Sequence, residues 1–142
     1  MMIMALTLAA FGSGLAQEPE AARHPIDVAL DKCLKSKRIV FERAGCFSAE
    51  LDSWNKEVDV AYAGLLKVID TKLTEPLKET QKAWETFRDK QFLLLEVQNP
   101  VTATGRGTGY SSHRIAAMSQ VIRPRAIYLR EWLDAINGAV SR

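Results

Sequence analysis

A short stretch of the sequence, residues 81–92 (QKAWETFRDKQF), carries residue types that could bind or orient a partner. Gln81, Trp84 and Arg88 follow one another at steps of three and four residues, so they lie close to one face of a predicted helix. The guanidinium of Arg88 can stack on the indole ring and still donate to a carboxylate or a carbonyl oxygen. The stretch therefore predicts a polar network on one helix, in which Asp89 lies next to the cation Arg88.

Two interpretations of this network stay open. In the first, Arg88 ties its helix to a neighbouring helix through Asp59 or the Tyr62 hydroxyl, and the network only orients the two helices. In the second, Arg88 faces a ligand. The aromatic side chains at helical spacing are expected to belong to the core rather than to a cofactor site. These residues are Trp54, Tyr62, Trp84 and Phe87.

The motifs of common enzyme classes are missing from the sequence. Serine, histidine and aspartate all occur, but no Gly-x-Ser-x-Gly turn presents a nucleophile. The Gly-rich run GRGTG at 105–109 follows no strand pattern, which a phosphate-binding loop requires. Paired carboxylates fall at spacings typical of a solvated helix face. We therefore predict no catalytic residue, no cofactor and no enzyme activity.

Cys33 and Cys46 are the two cysteines of the sequence. An even pair in an exported chain most simply forms a disulfide, which suits a domain of this size. The alternative, a metal site, lacks ligands, because no Cys-x-x-Cys spacing exists and the histidines, His24 and His113, are far apart in sequence. The prediction is one disulfide and no metal.

The first sixteen residues, MMIMALTLAAFGSGLA, contain no charge and end in small residues, which predicts a secretory signal peptide over 1–16. The apolar run is too short to span a membrane. A polar tail at 17–24 and a single domain at 25–142 follow. The net charge of +2 comes from mixed acids and bases, so neither a nucleic acid nor a membrane surface is a predicted partner. The predicted location is periplasmic or secreted.

Apolar residues recur at helical spacing through most of the mature chain. Pro25 is expected to open a first helix, Ser48 to cap a long second one and Thr74 to cap a third, with Pro76 in its first turn. Residues 101–113 are rich in Gly, Thr and Ser and predict a loop before the last helix. The predicted fold is all-α, a small and mainly antiparallel bundle of about four helices with one disulfide, in which the two long middle helices form a hairpin.

The succession of cysteines, Trp54, Tyr62 and the 81–89 element resembles the small secreted domain of the LprI-type lysozyme-inhibitor family. The resemblance runs from Cys33 to about Leu129, and its most specific element is Gln-x-x-Trp-x-x-x-Arg-Asp, here residues 81–89. Asn55 and Asp59 exchange the acid and the amide of the family pattern.

A second departure concerns cysteines that the family has and this chain lacks. The third family cysteine falls on Phe92 and its partner falls near Met118. The resemblance therefore implies that an apolar contact has replaced a second disulfide.

The resemblance implies an inhibitor that blocks a peptidoglycan-cleaving lysozyme. An exposed loop enters a sugar-binding cleft more easily than a helix does, and residues 101–113 are the predicted loop. Arg106, Tyr110 and His113 would offer a cation and hydrogen-bonding rings to the catalytic carboxylates of such a cleft. The alternatives are that this loop only connects helices, and that the domain is an envelope interaction or scaffolding module whose partner is another exported protein or a cell-wall fragment.

Overall fold

Four α-helices make up nearly all of the residues that the structure, a computed structural model, describes, which are 23–98 and 108–140. The helices are α1 (Pro25–Ser36), α2 (Val40–Val68), α3 (Thr71–Gln98) and α4 (Thr108–Val140), and these residues contain no strand. The predicted all-α fold of four helices is confirmed. The signal peptide predicted at 1–16 lies outside the described residues, as do residues 17–22 of the predicted tail and Arg106.

Helix α1 begins at Pro25, as predicted. His24 is its N-cap and accepts a hydrogen bond at Nδ1 from the backbone N–H of Ile26, at 3.2 Å. A proline fits at the first position of a helix because its missing N–H has no intrahelical partner there. The Cys33–Cys46 disulfide, with a Cα–Cα distance of 5.7 Å, joins α1 to α2 and confirms the predicted pairing.

Helix α2 carries the predicted apolar stripe but begins earlier than predicted. Trp54, Val58, Ala61 and Leu65 are all buried at steps of three and four residues. Ser48, expected to be the cap, is an exposed residue inside the helix, because α2 already begins at Val40. The disulfide at Cys46 holds this first part of α2 against α1, which a local capping signal does not reveal.

Helix α3 also begins earlier than predicted. The Asp70 carboxylate accepts from the backbone N–H of Lys72 at 2.8 Å and so acts as the cap that was expected of Thr74. Pro76 accordingly lies inside α3 rather than in its first turn.

The hairpin predicted for the two middle helices is wrong. Helix α2 packs most extensively against α4, then against α1, and α3 packs against α4 instead of α2. An apolar stripe indicates that a helix is buried on one side, but it does not indicate which other helix covers that side.

The core lies mainly between α2 and α4. Gly64 permits a close approach of the two helices there, because a Cβ atom at this position would lie 2.7 Å from Leu133 Cδ2. Helix α3 contributes a single residue, Leu77, to the fully buried cluster. The buried cluster consists of Trp54, Val58, Ala61, Leu65, Leu77, Ile122, Ala126, Leu129 and Leu133.

Helix α4 begins at Thr108, so the loop predicted at 101–113 is wrong for its last six residues. Tyr110 and His113 belong to the first turns of a helix. Phe92 is half-buried and packs against the core cluster, and Met118 is half-buried on α4. The replacement of a second disulfide by an apolar contact between these two residues stays a prediction.

Removal of the disulfide is expected to destabilise the chain because α1 buries no residue fully and depends on this covalent link. For a double Cys33→Ser, Cys46→Ser variant we expect a loss of about 3 kcal/mol in the free energy of unfolding. Urea unfolding followed by circular dichroism measures it, and the oxidised and reduced parent chain provides the control. An unchanged urea midpoint in both comparisons would contradict a stabilising role.

Candidate functional site

A groove of about 500 Å³ runs between α3 and α4 and is the candidate site for a partner. Its walls are mainly aromatic and aliphatic, with two polar side chains among them. The lining residues are Trp84 and Phe87 of α3 and Gln120, Val121, Pro124, Arg125 and Tyr128 of α4. Phe87 and Tyr128 are each more than half exposed. Large exposed aromatic side chains that line one depression are typical of an interaction surface.

Arg125, which lines the groove, forms a hydrogen-bonded pair with Gln81 that joins the two helices. We call this pair the floor of the groove. Nε and Nη2 of Arg125 donate to Gln81 Oε1 at 3.1 and 2.9 Å. Gln81 is buried, and its Nε2 donates to Glu85 Oε1 at 3.1 Å on the same helix. The buried amide therefore has partners on both of its polar atoms, and one of them is a cation on α4.

Trp84 lies close to two guanidinium groups. Arg88 Cζ is 5.3 Å and Arg125 Cζ is 6.0 Å from the centre of its ring system, and Arg125 Cζ is also 5.8 Å from the Tyr128 ring. These distances are within the range of cation–π attraction. Arg88 donates from Nε and Nη2 to the Asp89 carboxylate at 2.9 and 2.8 Å, so its charge is neutralised by its sequence neighbour.

The sequence analysis did not single out Arg125, although one signal was present. Arg125 is three residues after Ile122 and four before Leu129, both fully buried, so a cation interrupts an apolar stripe at helical spacing. Burial lowers the pKa of Arg125, yet an arginine stays charged in proteins. A positive charge with a neutral amide as its hydrogen-bond acceptor is thus built into the floor of the groove.

A second polar cluster surrounds Trp54, which is fully buried. The indole N–H donates to Glu50 Oε1 at 3.3 Å, and the His24 ring lies 4.5 Å away between ring centres. Arg123 Cζ lies 5.4 Å from the Trp54 ring, and its Nε and Nη2 donate to the Asp27 carboxylate at 3.3 and 2.6 Å. The cluster joins α1, α2 and α4 around a side chain that has no solvent exposure, which is typical of a structural anchor.

Glu50 is the buried carboxyl group of this anchor. Burial raises its pKa above the ordinary glutamate value, and the hydrogen bond from Trp54 counteracts only part of that effect. The hydrogen bonds that Arg123 donates to the Asp27 carboxylate in turn raise the pKa of Arg123.

The residues proposed from sequence as a network are distributed over two helices. Trp54 and Tyr62 pack in the core on α2, whereas Asp59 is exposed. The ion pair between α2 and α4 uses Glu57, whose Oε1 accepts from Arg130 Nε at 2.5 Å. The contacts of Gln81 and Trp84 run to α4 through Arg125, a direction that the residue pattern did not indicate.

Two of the three residues proposed for partner binding, Tyr110 and His113, lie near the start of α4. His113 is exposed, and Tyr110 belongs to the same helix, whereas Arg106 lies outside the described residues. His113 is seven residues before Gln120, and residues seven apart lie on one helix face. His113 therefore lies on the side of α4 that also contributes Gln120 to the groove, two turns towards the N-terminus.

Two features are absent from residues 23–98 and 108–140. None of the helices in this part of the chain is both long enough and apolar enough to cross a membrane. The same residues contain no group of three or more His, Cys, Asp or Glu side chains that could hold a metal ion.

Comparison with known proteins identifies one family. The family model described as lysozyme inhibitor LprI matches residues 33–129. A crystal structure of an uncharacterized protein from Burkholderia thailandensis is similar, with a TM-score of 0.68 and 28% sequence identity. That match covers 82% of this chain and 57% of the Burkholderia protein, so the chain spans little more than half the length of that relative. No curated protein matches the sequence.

Stability should depend on pH through Glu50. Its pKa is raised in the folded chain, so its favourable contribution is present at low pH and is lost as the pH rises through the folded value. The parent chain should therefore lose stability relative to a Glu50→Gln variant as the pH rises from about 4 to 7. Urea unfolding of both chains at each pH measures the difference between their free energies of unfolding. Both chains contain the Asp27–Arg123 pair, so the pH dependence of that pair itself is common to them. A difference that stays constant with pH would contradict a raised pKa of Glu50 in the folded chain.

The effects of changing Gln81 and Arg125 on the free energy of unfolding should be strongly non-additive. Gln81→Leu leaves the guanidinium without its acceptor and should cost about 1–3 kcal/mol, whereas the double variant with Arg125→Met should cost less than the sum of the single changes. Urea unfolding of the four chains gives the coupling energy, and strictly additive losses would argue against the pair.

Proposed function

The chain belongs to the LprI lysozyme inhibitor family, and on that premise we propose that it is an exported binding protein that blocks a peptidoglycan-cleaving lysozyme. The family match at residues 33–129 is the observation that carries this proposal. It extends from the disulfide in α1 to Leu129 in α4, and so includes most of the buried cluster and the groove. The family is one of inhibitors, which supports a binding role rather than an enzymatic one.

The proposed location is the periplasm or the exterior of the cell. The Cys33–Cys46 disulfide supports it, because disulfides form and persist in oxidising compartments. The uncharged apolar segment at 1–16 supports it as well, as a proposed signal peptide.

We place the inhibitory contact at Arg106, Tyr110 and His113. The cleft of a lysozyme contains two carboxyl groups that carry out the hydrolysis, and a cation with two hydrogen-bonding rings complements them. His113 is exposed at the start of α4, where it is accessible to a partner. The net charge of +2 gives no long-range attraction to a basic lysozyme, so this contact depends on short-range hydrogen bonds.

A second candidate function is an envelope interaction or scaffolding module without inhibitory activity. The exposed apolar side chains of α3 favour it, since Leu93 and Val97 are each about 60% exposed, beyond the groove, on the same helix. Contiguous exposed apolar surface commonly marks a protein interface.

The clearing of a cell-wall suspension by lysozyme, with and without the purified mature domain, tests the proposal. We expect clearing to slow as the domain approaches a molar excess. An Arg106→Ala, Tyr110→Ala double variant should lose this effect while its helical circular dichroism and Tm stay unchanged. Arg38→Ala, a change of an exposed arginine between α1 and α2, is the matched control and should inhibit like the parent chain.

Clearing that proceeds at full rate in a large molar excess of the domain would exclude inhibition of that lysozyme. If calorimetry then also detects no complex, the scaffolding alternative is favoured for this chain.

A further inference from the structure

The three arginines of α4 that bond to other helices differ in what neutralises them. Arg123 bonds to Asp27 on α1, and Arg130 bonds to Glu57 on α2, so each of these cations has a carboxylate partner. Arg125 bonds to the neutral amide of Gln81. Its charge is therefore not cancelled by a directly bonded carboxylate among the described residues.

One acidic residue acts on Arg125 from a greater distance. Glu85 attracts the guanidinium electrostatically, but the carboxylate oxygen of Glu85 bonds to Gln81 instead. The other nearby cation, Arg88, has Asp89 as its partner. The charge that a ligand in this groove would meet is thus that of Arg125.

Donors of Arg125 also remain available. An arginine carries five N–H donors, and the described bonds to Gln81 use Nε and one nitrogen of the fork, Nη2. The Nη1 donors are not part of that bond. A guanidinium with free donors in a largely apolar groove prefers an anionic acceptor, since a charge-assisted hydrogen bond is about twice as strong as a neutral one.

From this geometry we infer that the groove between α3 and α4 binds a carboxylate that a partner protein carries next to an apolar side chain. The carboxylate would accept from Arg125, and the neighbouring apolar group would cover Phe87 and Tyr128. The inference depends on the proposed function only in taking a protein as the partner.

The chemistry of the lining favours this occupant over simpler ones. A free inorganic anion would meet the charge but would leave the exposed rings of Phe87 and Tyr128 in water. A neutral apolar segment would cover the rings but would bury the Arg125 charge without an anionic partner, which costs free energy. An acidic residue flanked by an apolar one satisfies both requirements.

Gln120 allows the charge of the groove to be changed without disturbing its floor. It lines the groove, is exposed, and takes no part in the Gln81–Arg125 bond. Gln120→Glu should therefore weaken carboxylate binding about tenfold and Gln120→Lys should strengthen it by a similar factor. Ala63, exposed on α2 and outside the groove, provides controls with the same change in net charge, Ala63→Glu and Ala63→Lys.

The probe is a blocked tripeptide of leucine, glutamate and phenylalanine, compared with the same peptide containing glutamine. Nuclear magnetic resonance follows the indole N–H of Trp84 and the Nε–H of Arg125 during titration. The glutamate peptide should shift both signals in a saturable manner, and the glutamine peptide should bind at least tenfold more weakly. The Gln120 variants should change the affinity in opposite directions, whereas the Ala63 variants should leave it unchanged.

Equal affinity for the two peptides, or no shift with either, would overturn the inference. Lysozyme clearing with the same chains separates it from the proposed function. Binding of the glutamate peptide without inhibition would support carboxylate binding in the groove and contradict lysozyme inhibition. Inhibition without peptide binding would support the proposed function and contradict carboxylate binding in the groove.

Discussion

The packing of α2 on α4 is the constraint on which the rest of this structure depends. The two helices supply all but one of the fully buried core residues, and they approach closely where Gly64 faces Leu133. Close approach allows the large side chains of one helix to fill the spaces beside small residues such as Ala61 and Ala126. Because the core lies mainly between these two helices, α1 and α3 pack against it from its sides and add few fully buried residues.

The attachments of α1 and α3 are correspondingly few and specific. Helix α1 has twelve residues, buries none of them fully and would be marginal as an isolated helix. The disulfide near its end and the Asp27–Arg123 ion pair near its start hold it in place. Helix α3 is held by Leu77 in the core and by the hydrogen bonds that Arg125 donates to Gln81. A long helix that is attached over part of its length leaves apolar surface exposed, and this surface forms one wall of the groove.

Sequence reasoning predicted the parts of this arrangement that depend on local spacing. The stripe of α2, the proline at the start of α1 and the disulfide all follow from residue types and intervals within one segment. The predicted N-cap of α2 lies nine residues after the observed one, Ile39, and that of α3 lies four residues after Asp70. A capping residue in the sequence does not exclude an earlier start that tertiary contacts stabilise. The pairing of α2 with α4 instead of α3 could not be derived, because two apolar stripes of similar length compete for the same partner.

The same limit explains why Arg88 was noticed and Arg125 was not. Arg88 lies next to Trp84 in sequence, whereas Arg125 reaches that ring from another helix, across 41 positions of the chain. In the folded chain, the acceptor of Arg125 is a neutral amide rather than a carboxylate, and this difference decides whether the charge of Arg125 is cancelled. A glutamate at position 81 could also accept from Arg125 but would cancel its charge, as Asp27 does for Arg123, and could not donate to Glu85 as Gln81 does. Gln81 holds the guanidinium by two hydrogen bonds and does not cancel its charge, so the floor of the groove is positively charged.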